Sequence, residues 1–116
     1  MLHKFIDVEI DDFILEKAMN YYESSWNISP TSIAANAIGA IHLQQGQFQK
    51  ARSYFDASIE RDSENIEAKV NMAILTIRTG SVSEGEGAIQ KLLKAHPNSS
   101  SAQNAARAYN ISLTSP

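Results

Sequence analysis

The sequence predicts an all-α fold of stacked antiparallel helix pairs. Its strongest support is self-similarity. Shifted by 34 residues, Gly46 falls on Gly80, Phe48 on Val82, Ala51 on Gly85, Phe55 on Ile89 and Ile59 on Leu93. Large apolar positions meet large ones, and small positions meet small ones. Apolar residues also recur at helical spacing on both sides of each glycine. Finally, a glycine inside one long helix costs roughly 1 kcal/mol relative to alanine. A glycine that closes a helix takes the left-handed conformation without that penalty. Gly46 and Gly80 therefore read as punctuation between helices.

Taken in order, residues 1–12 read as an N-terminal arm, a helical turn or a short extended piece, with Leu2, Phe5, Ile6, Val8 and Ile10 as its apolar residues. Asp11 or Asp12 is a cap candidate for a helix from Phe13 to about Trp26, within a half-repeat over 13–29. A shift of 33 residues aligns this helix with the later ones: Leu15 meets Phe48, Ala18 meets Ala51, and Tyr22 meets Phe55.

The first full unit spans 32–65. Its first helix, Ser32 to Gln45, carries Ile33, Ala37, Ile38, Ile41 and Leu43. Its second, Phe48 to Arg61, buries Phe48, Ala51, Tyr54, Phe55, Ser58 and Ile59. The next unit spans 66–99. Asn65 caps a helix with Ile66, Val70, Ala73, Ile74 and Ile77. Ser81 and Glu84 have capping-box spacing for the helix after Gly80, which stops before Pro97. Ser99 or Ser100 caps a last helix, Ser101 to about Ile111, within a capping segment over 100–112.

This pattern resembles the tetratricopeptide repeat, a 34-residue helix-turn-helix unit. The matching residues in the first unit are Gly39, Gly46, Phe48, Ala51, Phe55 and Asp62. In the second they are Ala68, Asn71, Ala73, Gly80 and Pro97. There are departures. Ala35 and Lys69 stand where the family often has Trp, and His42 and Thr76 where it often has Tyr. Gly85 replaces the Ala of the tight helix contact, and Gly87 adds a second helix-weakening residue. The second unit is expected to be the softer one.

The resemblance implies a right-handed solenoid of about two full repeats with flanking half-repeats, in a single domain over 1–116. It also implies that a protein or peptide partner binds on the concave face lined by the first helices. Carried over by position, the groove candidates are Ile33, Asn36, Ala40, Leu43 and Gln44, then Glu67, Val70, Asn71, Ile74, Ile77 and Arg78, then Asn104 and Ala108. Ser101 and Ile111 lie on the same face. The set is mostly apolar with scattered amides, which suits a hydrophobic or amphipathic segment. Two other occupants remain open: the chain's own arm, and a second copy in a homo-oligomer.

The family's clamp for chaperone C-terminal carboxylates needs paired Lys, Arg and Asn residues. Only Asn71 holds a clamp-like position, so no clamp is expected. Within the family the chain resembles small bacterial chaperones or adaptors of secretion and envelope assembly. A self-associating structural protein and a regulatory domain of a larger protein are the alternatives.

Composition narrows the other classes. The 116 residues include 43% hydrophobic and 20% charged side chains, with 10 basic and 13 acidic residues for a net charge of -3. No basic stripe marks a nucleic-acid surface. Without cysteine there is no thiolate nucleophile or zinc–thiolate site. Asp7, Glu9, Asp11 and Asp12 interrupt any signal-like apolar run, and no stretch approaches the ~18 apolar residues of a membrane span. A cytoplasmic location is expected.

His3, His42 and His96 have no metal-ligand spacing, and His42 reads as a packing residue in an aromatic slot. GSVSEGEG lacks the lysine of a phosphate loop. No enzyme activity, cofactor or metal is expected.

Overall fold

The first turn of each unit's opening helix is fixed by one side chain. In the computed structural model, which describes residues 12–112, Thr31 Oγ1 accepts a hydrogen bond from the Ala34 N–H at 3.1 Å. Asn65 Oδ1 accepts from Ala68 N–H at 3.0 Å, and Ser99 Oγ from Ala102 N–H at 3.2 Å. Each cap satisfies a backbone donor that the helix leaves unpaired. The helices are α1 (Asp12–Ile28), α2 (Ser32–Gln44), α3 (Phe48–Arg61), α4 (Ile66–Arg78), α5 (Val82–Ala95) and α6 (Ser100–Ala108). No strand occurs among the described residues.

The same economy of local bonds ends the opening helices. Gly46 (φ 77°) and Gly80 (φ 107°) both take the left-handed conformation. At the first turn Gly46 N–H donates to Leu43 O and Gln47 N–H to His42 O; at the second, Gly80 N–H donates to Ile77 O and Ser81 N–H to Thr76 O. This is the paired 5→2 and 6→1 bonding of a Schellman stop. Asn110 (φ 55°) makes the same stop after α6, with Asn110 N–H on Arg107 O and Ile111 N–H on Ala106 O. The last helix therefore ends at Ala108, about a turn short of the expected Ile111.

The tight Schellman links also explain why Ser81 makes no side-chain cap. Gln47 and Ser81 are held at ψ 78° and 67°, outside the usual capping geometry, and neither side chain caps its helix. The capping box expected at Ser81 and Glu84 is not formed. At the other end of the chain, Asp12 lies inside α1. The alternative cap Asp11, and the arm over 1–11, fall outside the described residues.

α2 packs antiparallel on α3, and α4 on α5. The opening helices α2, α4 and α6 also touch in succession, whereas α3 and α5 do not pack on each other. The stack therefore curves with its opening helices on the inside. One core cluster joins Leu43, Ala51, Phe55 and Leu75; another joins Val70, Ala73, Ile89, Leu93, Ala102, Ala105 and Ala106. Ile74 packs against both, so the two pairs share one continuous interior.

Within each pair the backbones approach until a glycine is required. A Cβ on Gly39 would lie 2.6 Å from the buried Phe55 ring. One on Gly85 would collide with Ile77 and with the Ala73 carbonyl. Gly87 faces open space.

The three kinds of glycine should therefore respond differently in thermal or denaturant unfolding. Gly85→Ala is expected to destabilise by about 1–3 kcal/mol, since overpacking outweighs its better helix propensity. Gly87→Ala is expected to stabilise by about 0.5–1 kcal/mol. Gly46→Ala is expected to cost about 1–2 kcal/mol through backbone strain alone, and the β-branched Gly46→Val more.

Candidate functional site

The inner face is the surface that three parallel-running opening helices present together. Its residues sort into two kinds by depth. Val70, at 2% exposure, and Leu43 belong to the core clusters, and Asn36 is buried as well. Ala40, Asn71, Ile74 and Ile77 are half-buried. Ile33, at 75% exposure, and Gln44, Glu67, Arg78, Asn104 and Ala108 reach solvent. Val70 and Leu43 are thus structural supports in the free chain, not surface groups. Of the two further inner positions, Ser101 and Ile111 are half-buried, and Ile111 packs against the second core cluster.

Two contacts tie the face together. Asn71 Nδ2 donates to Asn36 Oδ1 at 2.9 Å, crossing from α4 to α2. Asn71 is therefore spent on the fold in this state. Arg78 Nη1 donates to Leu43 O at 3.2 Å while its guanidinium lies 5.4 Å from the Phe48 ring centroid. That carbonyl lies in the last turn of α2 and already accepts from Gly46 N–H, so Arg78 takes its second lone pair, and a cation there also suits the helix dipole. Arg78 remains exposed at its tip. Glu67, in the first turn of α4, carries the opposite charge at the other end of the same helix.

A polar knot holds the edge of this face. Ser58 Oγ donates to Ser32 O at 2.7 Å, and Ser32 Oγ lies 2.9 Å from Ser58 Oγ. Asn65 Nδ2 donates to Ser32 Oγ at 2.8 Å while its Oδ1 caps α4. Ser32 and Ser58 are both buried. The network joins the start of α2, the end of α3 and the cap of α4. A buried network of this kind stabilises only while every member is satisfied. Ser32 and Asn65 went unrecognised as its members, because nothing local to 32, 58 or 65 reveals a contact across that separation.

His42 lies on the back of α2, buried and stacked on Tyr54 with ring centroids 5.7 Å apart. It fills an aromatic slot. Burial, joined by the nearby Lys50 charge, lowers its pKa below the ordinary 6.5 despite the opposite pull of Gln47 and Glu23. Its Nδ1 has no hydrogen-bond partner among the described residues. Among those residues no cluster of His, Asp or Glu has the arrangement of a metal site.

The lowered pKa fixes a sign. The folded state holds neutral His42 more strongly than the unfolded chain does, so the unfolded state binds the proton first. His42's contribution is present above about pH 6.5 and is lost as pH falls below it. Chemical denaturation across that range is expected to show stability falling toward acid, with a shallower fall in His42→Phe.

The curved face, its exposed ends and the 34-residue recurrence of caps and stops agree with one family. The sequence pattern of the Tetratricopeptide repeat matches residues 42–109, more than half of the chain. No curated protein matches the sequence. No helix among the described residues is long and apolar enough to cross a membrane. Repeats of this kind act typically as protein-interaction modules without catalysis, and the chain belongs to the tetratricopeptide repeat family.

Proposed function

We propose that the inner face of α2, α4 and α6 binds an amphipathic segment of a partner protein. The observation that carries this is the division of the face by depth. Ala40, Ile74 and Ile77 are half-buried, with Ile74 and Ile77 partly packed into the core, and supply the apolar floor in this reading. The exposed groups around it are Gln44, Glu67, Arg78 and Asn104, with Ile33 and Ala108 as exposed apolar positions. Glu67 and Arg78 stand 11 residues apart on α4, about 16 Å along its axis. A segment with apolar side chains for the floor, a cation near Glu67 and an anion near Arg78 suits this pattern. Affinity then comes from the desolvated floor, and orientation from the rim charges.

In this reading the chain is one cytoplasmic, non-catalytic domain. Its role is that of an adaptor or chaperone holding another protein, as in bacterial secretion or envelope assembly. The specific pathway rests on its size and repeat style.

The test is capture of partners from cells that make the protein, followed by titration of the captured partner. The double charge reversal Glu67→Lys with Arg78→Glu keeps the net charge. It is expected to weaken binding by about tenfold or more, a change of about 1.4 kcal/mol. Reversals on the outer helices, Arg52→Glu and Lys91→Glu, are expected to leave affinity unchanged. Loss of binding in the outer variants but not the inner one would overturn the proposal. Val70→Glu is no substitute, because it places a charge in the core.

A further inference from the structure

α1 occupies the place of a closing helix and packs on the next opening helix, α2, but among the described residues no opening helix precedes it to complete its own pair. Aligned by 33 residues, its Ala18, Tyr22 and Ser25 correspond to Ala51, Phe55 and Ser58 of α3. Those three α3 residues are completely buried against α2 and its neighbours. In α1 the same positions are only half-buried, and no residue of this helix is fully buried. Tyr54 of α3 stacks on His42 of its own opening helix. Its counterpart Tyr21 is 68% exposed. The alignment places Phe13 where Gly46 makes the turn between paired helices. Phe13 is instead inside α1, so that turn is not made there.

The open side of α1 carries a seam. Ile14, Ala18, Tyr21, Ser25 and Ile28 follow one another in alternating steps of four and three residues. That spacing puts them on one face at the period of paired helices. Ile14 and Ile28 are 57% and 84% exposed. The repeat pattern does not ask for them. The positions matching Ile14 are Gln47 and Ser81, and those matching Ile28 are Arg61 and Ala95. Large aliphatic residues at these two positions are a property of this end of the stack alone.

We propose that this seam is the contact of a symmetric dimer, in which α1 packs antiparallel on α1 of a second copy. The two ends of the stack select this occupant. At the far end, Asn104 and Arg107 of α6 and Asn110 just beyond it are exposed, and Arg107 is held by Asn104 at 2.7 Å. A head-to-tail stack would press the apolar seam onto these polar groups, leaving them without water. A two-fold contact instead meets its own like.

The seam is suited to that symmetry, because large and small residues alternate equally in both directions from Tyr21. No charged residue lies within it. Lys17 sits on its flank, 5.1 Å from the Phe13 ring centroid. Antiparallel pairing about Tyr21 separates the two Lys17 residues by about 12 Å along the axis, beyond the screening length of roughly 8–10 Å in salt. A single pair of 17-residue helices, about 25 Å long, falls at the small end of specific interfaces. The dimer is therefore a weak one that forms with rising concentration.

The test is sedimentation velocity of the full chain from micromolar to near-millimolar concentration. A shift from monomer to dimer is expected. Tyr21→Glu and Tyr21→Lys are each expected to remain monomeric, since like charges meet at the two-fold. Mixing the two variants is expected to restore the dimer. Far-UV circular dichroism melts verify that both variants fold. Ile14→Ser with Ile28→Ser provides a neutral variant with the same expected loss. A chain that stays monomeric throughout overturns the proposal, as does cross-linking that finds residues 1–11 lying on the seam instead. An assembly that grows past the dimer, or a dimer untouched by all three variants, overturns it too.

Discussion

The contact on which the structure most depends is the approach of two helix backbones within a pair. At Gly39 the approach leaves room for a hydrogen but not a methyl group beside the Phe55 ring. At Gly85 the neighbour is a carbonyl oxygen of α4, which cannot move without moving the helix. Once the pairs close to this distance, Phe55 and Ile89 are completely buried, and each becomes the centre of a core cluster. The turns at Gly46 and Gly80 set where the second helix starts. The small residues set how near it comes. Ordinary hydrophobic burial can then act across a layer that neither helix forms alone.

That packing also sorts the inner face. Because α2, α4 and α6 touch in succession while α3 and α5 do not, the opening helices form the inside of a curve. Residues on the deeper side of each opening helix, such as Val70 and Leu43, become walls of the core. Those a fraction of a turn away, such as Glu67 and Arg78, stay in solvent. The fold thereby holds apolar floor and charged rim at fixed separations without needing a loop. In the proposed function these groups are presented by rigid helices, so little ordering entropy would oppose association.

Much of this was legible because the determinants are local and recur. Gly46 and Gly80 announce their stops by type and spacing, Asn65 announces its cap, and the last cap is narrowed to Ser99 or Ser100. Thr31 completes that cap series but is masked by Ser32, an equally good capping residue beside it. The shortened α6 depends on Asn110 taking a left-handed conformation, which asparagine tolerates without demanding it. Depth on the inner face was the least legible. Positions five and nine of a unit share a helical face, yet Val70 is buried and Ile74, though it packs against both core clusters, is half-buried; that difference is set by tertiary packing and not by spacing. The Ser32, Ser58 and Asn65 network has the same origin. Three polar residues are buried only because three separate helix ends converge.

The close approach at Gly39 is tested most directly by a double-mutant cycle with Phe55. Denaturant unfolding is measured for Gly39→Ala, Phe55→Leu and the double variant. Both single changes should destabilise, the first by overpacking and the second by lost ring contacts. In the double variant the smaller leucine makes room for the new methyl group. Its loss should fall short of the sum of the single losses by about 0.5–3 kcal/mol, the range of coupled neighbours. Strict additivity would contradict the account, since it would mean that the glycine and the ring do not meet.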